Sequence, residues 1–420
     1  MAKGSEASIL VVGGGISGLT AALEAAEVGH PVYLIERSPY LGGRVAQNSR
    51  YFPKLCPPYC GLEINFKRIK NNRHIRFSTL TEVENIEGEP GDYSVTLRTN
   101  PRFINNGCTA CGECAAVCPV FRPNDFNHGM DTTKAIYLPH DMAFPMKYVI
   151  DPETCLGKQC AKCVEACPYE AVELDMRGET RDLKVGAVVW ATGWIPFDAS
   201  QVAYYGFGRY LNVVTNVMME RMASSNGPSS GRIARLTDDK EVKAVAFVQC
   251  AGSRDENHLA YCSGVCCAAS FKQASYVREQ YPGAEIYIFY IDIRTLGRLE
   301  DLCRQILEDE KTTLIKGKVA DIREESDTKD LLLMVENVDK GQGIQIKADL
   351  VVLANGMVPT TAVEKIPADV GYDDYGFVLD PDTGGGIIPV GCVKRPMDVA
   401  ESVQSATGAS LKGLQAMLRR

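Results

Sequence analysis

Cysteine carries most of the chemistry that can be read from this chain. Sixteen cysteines stand among 420 residues, and 14 of them fall into four local groups, leaving only Cys303 and Cys392 alone. Grouping of this kind excludes thiols scattered through a core and points to metal binding or redox chemistry. Cys108-x2-Cys111-x2-Cys114-x3-Cys118-Pro119 has bacterial ferredoxin spacing; Cys155-x4-Cys160-x2-Cys163-x3-Cys167-Pro168 repeats it with two extra residues in the first gap. Soft thiolates so spaced wrap an iron–sulfur cubane, because a short loop lets three sulfurs reach three corners. The fourth cysteine of each run reaches across to the other cluster. The expected ligand sets are therefore Cys108, Cys111, Cys114 and Cys167 for one [4Fe–4S], and Cys155, Cys160, Cys163 and Cys118 for the second. Structural zinc or free thiols are the alternatives, but zinc sites usually pair two CxxC units without a Cys-Pro ending on each run.

The third group, Cys250-x11-Cys262-x3-Cys266-Cys267, leaves three readings open: a third cluster, a redox disulfide, or buried thiols. Adjacent cysteines seldom pair with one another, since the bridge is strained. The pair opens an apparent helix, Ala268 to Tyr281, whose N-terminal dipole is expected to lower the thiol pKa values. The fourth group, Cys56-Pro57-Pro58-Tyr59-Cys60, fits a redox dithiol, extra cluster ligands, or a rigid turn with inert thiols.

The elements that would position this chemistry begin with Ile9–Val12, a short β-branched run followed by Gly13-Gly14-Gly15-Ile16-Ser17-Gly18. Leu19 to Gly29 reads as a helix, and Val32 to Glu36 as a second strand ending in an acid. In such a unit Gly13 makes the turn, Gly15 admits a pyrophosphate to the helix N-terminus, and Gly18 lets helix and sheet approach. Glu36, 18 residues after Gly18, is placed to accept hydrogen bonds from a ribose. Leu41-Gly42-Gly43-Arg44 resembles the LGGR segment of two-dinucleotide-domain flavoproteins, where it accompanies FAD. Val188–Trp190 followed by Ala191-Thr192-Gly193 resembles their ATG strand, and Leu350–Gly356 repeats it. Ile387–Gly391 followed by a helix from Asp398 to Leu418, with a break near Gly408, resembles their closing segment; Cys392 stands where an aspartate is usual. The candidate FAD contacts are Gly13, Gly15, Ile16, Ser17, Gly18, Glu36, Arg37, Gly43, Arg44, Val83, Ala191, Thr192, Gly193, Gly391 and Cys392. FAD itself would be the redox centre, with Cys56 and Cys60 the only protein-borne catalytic candidates; Lys54, Lys67 and Arg68 are unranked neighbours.

Lys243–Gln249 resembles the first strand of a second nucleotide-binding domain, yet it continues into Cys250-Ala251-Gly252 without GxGxxG, so no NAD(P)H site is expected. Five segments follow: the first part of the FAD domain (1–100), the ferredoxin insert (101–176), the ATG strand (177–205), the second nucleotide-binding-like domain (206–345) and the closing part of the FAD domain (346–420). Cys303, in a helix from Leu296 to Asp309, reads as core, and His258 as a surface residue. A 45% apolar, 23% charged composition is that of a globular chain, and a net charge of −8 argues against nucleic-acid binding. No apolar run of membrane-spanning length occurs and the first residues lack a signal-peptide pattern, so a cytoplasmic location is expected.

FVQCAGSRDEN, YCSGVCC and IIPVGCVKRPMDVAESVQSATGA together resemble HdrA, the A-type polypeptide of heterodisulfide reductase, along nearly the whole chain. The resemblance implies an α/β, thioredoxin-reductase-like, Rossmann-type flavoprotein with an inserted two-[4Fe–4S] ferredoxin domain. It also implies a third cubane on Cys250, Cys262, Cys266 and Cys267. Starting at the FAD fingerprint and stopping at Arg420 without the family's C-terminal ferredoxin extension, the chain is most like the QmoA branch. The partners that branch implies are a QmoB-like HdrA homologue and a QmoC-like haem b membrane subunit. Electrons would then pass between the menaquinone pool and adenylylsulfate (APS) reductase in sulfate reduction, with inner-membrane contact only through a partner. The competing expectation is HdrA proper, bifurcating electrons at its flavin with HdrB and HdrC. A self-contained pyridine-nucleotide disulfide reductase using Cys56 and Cys60 is disfavoured by the missing second fingerprint, and a structural scaffold by the eight ferredoxin-type cysteines.

Overall fold

The computed structural model describes residues 8–52, 54–295, 299–381 and 385–418. Its first sheet grows from β1 (Ile9–Val12), whose alternating side chains serve two layers. Ile9 and Val11 pack with the helix α1 (Ile16–Glu27) and with Val399–Leu418, whereas Leu10 and Val12 face the opposite side. This period of two follows from the pleat, and a strand buried on both faces is apolar throughout. β2 (Val32–Glu36) and β3 (Ile75–Thr79) extend the sheet on one side; Ala187–Trp190 and Ile387–Pro389 extend it on the other, all in parallel. An antiparallel layer of β4 (Thr81–Glu89), β5 (Asp92–Thr99) and Glu179–Val185 covers the second face through Ile86, Tyr93, Val95 and Leu97.

A second sheet runs in the order Val213–Thr215, Leu350–Asn355, Ala244–Ala251, Glu285–Tyr290, Thr312–Glu324, Leu331–Asn337 and Gln342–Ala348. Its first five strands are parallel and the last two antiparallel. Between β5 and Glu179–Val185 the chain leaves the antiparallel layer for the cysteine-rich segment. Residues Ile104 and Val172 bridge at its base, and two short hairpins join Phe121–Pro123 to Thr132–Lys134 and Ile136–Tyr137 to Val149–Ile150.

Four sequence expectations shift. α1 begins at Ile16 rather than Leu19, so Ser17 and Gly18 lie in its first turn. Leu350–Asn355 is a central strand of the second sheet, not part of a return to the first; buried on both faces, it pairs with Val213–Thr215 and Ala244–Ala251. Of 346–420, the strand Ile387–Pro389 and the helix Val399–Leu418 pack on the first sheet. That helix runs through Gly408 without a break, because Ala406, Ala409 and Ala416 around it are held against the sheet. The helix expected from Leu296 is described from Leu299 to Leu307, residue 296 lying outside the described residues, and it buries Cys303.

Candidate functional site

A cleft of about 470 Å³ opens where β1 hands over to α1 and runs across to the second sheet. Gly13 makes the turn with φ +107°, and a side chain there would run into the Ala191 carbonyl. Gly43 approaches Gly15 so closely that a Cβ on it would lie 2.8 Å from the Gly15 Cα. The first-turn N–H groups of α1 are thus left facing the cleft, the arrangement that favours a pyrophosphate. Glu36 is fixed at the rim, its Oε2 accepting from Gly14 N (2.6 Å) and its Oε1 from Ser38 N (2.7 Å). Arg44 is half-buried over the Trp194 ring, 5.2 Å from its centroid, and desolvation pushes its pKa down.

Gly13, Gly15, Ile16, Ser17, Glu36, Arg37, Gly43, Arg44, Ala191, Thr192, Gly193 and Cys392 all line this cleft. Gly18 and Gly391 stand one layer behind: a Cβ on Gly18 would strike the Gly13 carbonyl, and one on Gly391 the Ser17 hydroxyl. Both permit close packing behind the cleft. Val83 does not reach the cleft, because the inner face of β4 packs into the apolar cluster of Leu10, Val12 and Ile35. Cys392 is buried, its Sγ donating to Met397 O (3.5 Å), and burial pushes its pKa up to about 11.

The far wall was not legible beforehand. Lys272 and Glu220 form an ion pair at 3.0 Å with side-chain exposures of 5% and 7%. Glu220 also accepts from Gln273 Nε2 (2.8 Å), Ser49 N (3.0 Å) and Tyr276 Oη (3.3 Å); Lys272 Nζ donates to Arg50 O (2.6 Å). Buried charges need partners of this kind. Four buried polar atoms along the cleft lack one among the described residues: Asn216 Oδ1, Gln273 Oε1, Asn355 Oδ1 and His128 Nε2. Orphaned groups at a concave wall suit a ligand with a polar ring edge, as a flavin has.

The eight ferredoxin-type cysteines sort themselves between two small cavities. Cys108, Cys111, Cys114 and Cys167 line one; Cys118, Cys155, Cys160 and Cys163 line the other. This is the crossed partition expected from spacing. Burial pushes Cys114 up to about 12 and raises Cys163 as well. Among the described residues no three His, Cys, Asp or Glu side chains converge tightly enough for a single metal ion. A cubane takes four thiolates at separate corners, and each cavity offers four cysteine thiols to such a group.

The third set sits at the end of Ala244–Ala251 and the start of the helix Cys266–Gln280. Burial, with the Cys250, Cys267 and Cys262 thiols around it, pushes Cys266 well above the ordinary thiol range; burial raises Cys267 too and takes Cys250 to about 11. Desolvation thus works against the lowering expected from the helix dipole. Cys56 and Cys60 stand outside the cleft lining, although Tyr51, whose N–H donates to Cys56 O (3.1 Å), belongs to it. Neither Lys54, Lys67 nor Arg68 lines the cleft, and Arg68 instead pairs with Glu27 on the surface. His258 is half-buried against Phe197 rather than free on the surface.

Fold and cleft together define a thioredoxin-reductase-like, FAD-dependent oxidoreductase chain. Residues 8–60 match the family model for FAD dependent oxidoreductases. Thioredoxin reductases from Lactococcus lactis (TM-score 0.54, 12% identity, 99% of this chain and 100% of that one) and T. acidophilum (0.53, 13%, 98% and 98%) share the fold. Over its length the chain is similar to HdrA of Methanocaldococcus jannaschii, an iron-sulfur polypeptide of CoB–CoM heterodisulfide reductase, at 38% identity across 96% of this chain and 63% of that one. The HdrA numbered 1 in Methanopyrus kandleri matches at 37% (96% and 63%). The HdrA of the H2:CoB-CoM heterodisulfide,ferredoxin reductase of Methanothermobacter thermautotrophicus matches at 33% (98% and 64%). The chain thus spans somewhat less than two thirds of these relatives. Among the described residues no helix is long and apolar enough to cross a membrane.

Proposed function

We propose that the chain is an HdrA-type electron-transfer subunit that joins one FAD to two [4Fe–4S] clusters in a ferredoxin insert, with a third cubane on Cys250, Cys262, Cys266 and Cys267. The observation that carries it is the crossed partition of eight cysteines between two cavities of a chain that also holds a flavin-type cleft. A bound flavin exchanges two electrons singly, and so links two-electron to one-electron chemistry. The chain's own residues bind and orient it. Gly13, Gly15 and the first turn of α1 take the pyrophosphate, Glu36 the ribose, and the buried Lys272–Glu220 pair builds the second-sheet wall.

The relatives' names, which place them in heterodisulfide and ferredoxin reductases, favour HdrA proper, the reading that goes with HdrB- and HdrC-like partners and flavin-based bifurcation. The narrower QmoA placement, with QmoB-like and QmoC-like subunits, APS reductase and attachment to the inner membrane through a partner, gains no support from those names. The second sheet offers no glycine fingerprint after Ala244–Ala251, which supports a chain without its own NAD(P)H site. A stepwise reductive titration tests the proposal. A one-electron donor is expected to reduce clusters and flavin in one connected series, with NADH leaving the flavin oxidised. Prompt bleaching of the flavin by NADH, with silent clusters, would overturn it.

A further inference from the structure

The cysteine-rich segment reaches the flavin cleft at two residues among those described, Asp125 and His128. Both lie on the loop between Phe121–Pro123 and Thr132–Lys134, a hairpin that starts three residues after Cys118 and is tied to it where Lys134 Nζ donates to Cys118 O (2.7 Å). The loop is gripped from both domains. Arg221, fully buried, donates through Nε to Asn127 Oδ1 (2.8 Å) and lies over the Phe126 ring at 4.5 Å; Gln47 Nε2 donates to Phe126 O (3.3 Å). Phe126 stacks on His140 at 4.5 Å, and Tyr40 meets both rings edge-on. So held, His128 takes a left-handed backbone (φ +52°) and lines the cleft, its buried Nε2 without a partner among the described residues. A rigid, anchored loop that delivers one unpaired imidazole nitrogen to a ligand wall has the form of a ligand contact.

We propose that His128 is a positioning residue for the flavin. Its Nε2 makes a hydrogen bond to the polar edge of the ring, and the hairpin behind it is the direct structural link between the flavin and the cluster that Cys118 holds. The inference rests on the FAD and two-cluster reading above. Burial, with Arg44 and Arg221 nearby, pushes the imidazole pKa down to about 4, so the side chain is neutral at pH 7 and serves as donor or acceptor according to tautomer.

The test compares the full chain with H128N and H128Q. Asparagine suits the left-handed backbone, but its amide stops short of the Nε2 position; glutamine reaches it. FAD affinity by fluorescence, the flavin's visible spectrum and iron per chain are read together. H128N is expected to weaken FAD binding about 3- to 10-fold, the loss of one hydrogen bond, and to shift the flavin band. H128Q restores both, with iron unchanged in each variant. An H128N chain with wild-type affinity and spectrum overturns the inference and leaves the functional reading intact. A wild-type chain that takes up neither FAD nor iron overturns that reading itself.

Discussion

The two parallel sheets start from the same plan and diverge at one turn. In the first, β1 passes to α1 through three residues, 13–15, all glycine. In the second, Ala244–Ala251 passes to Cys266–Gln280 through fourteen, 252–265, with Cys250 at φ +57° just before and two cysteines in the helix's first turn. The short glycine turn leaves helix N–H groups open to an anion. The long turn brings thiols to the place where a nicotinamide nucleotide would otherwise bind. One topology therefore presents a glycine turn of dinucleotide-binding type or a group of thiols according to what fills the strand–helix junction. The fold alone, shared with thioredoxin reductases, does not decide which.

The strongest way to break this comparison is at the glycine turn. G13V places a side chain against the Ala191 carbonyl, and FAD affinity should fall about 1,000-fold, near 4 kcal/mol, measured by flavin retention. The corresponding change in the second sheet, C262S, should leave FAD bound and remove only the third cluster's EPR signal; an unchanged signal would return Cys250, Cys262, Cys266 and Cys267 to the buried-thiol reading. Next in size is the wall between the sheets. K272M leaves Glu220 charged, buried and unpaired, and should cost about 3 kcal/mol of stability by denaturant unfolding, with K272M/E220Q recovering much of it.

A smaller effect is pH-dependent. His128 and His140 are both pushed down to about 4 by burial, from an ordinary value of 6.5. The folded chain keeps them neutral while the unfolded chain protonates near 6.5. Their contribution is therefore whole above pH 6.5 and drains away as pH falls toward 4. Replacing both with asparagine should flatten that acid slope in thermal melts. The smallest effect is expected from C56S/C60S, since neither thiol lines the cleft: flavin content and spectrum should stay at wild-type values.

What the sequence made legible was whatever depends on spacing within a short segment. The glycine turn, the acid at Glu36 and the two ferredoxin-type runs each announce themselves within a few dozen residues, because one loop or one strand–helix unit builds each feature. What stayed hidden depends on distant segments meeting. Lys272 is a lone lysine in a helix, and only Glu220, 52 residues earlier, makes it a buried ion pair. His128 is one histidine in a polar loop until the hairpin is docked against Arg221 and Gln47. Leu350–Asn355 reads like the strand before Ala191, since both are apolar runs ending near a glycine; only pairing partners assign them to different sheets.

The most direct test of the central claim, one flavin and two crossed clusters on a single chain, is the FAD, iron and zinc content of the anaerobically purified protein alongside C108S and C167S. The account predicts about one FAD and at least about eight irons per chain. Each variant should lose about four irons and the same cluster's EPR signature, although the two cysteines lie in different motifs. A zinc-loaded chain without iron, or variants that remove different clusters, would contradict it.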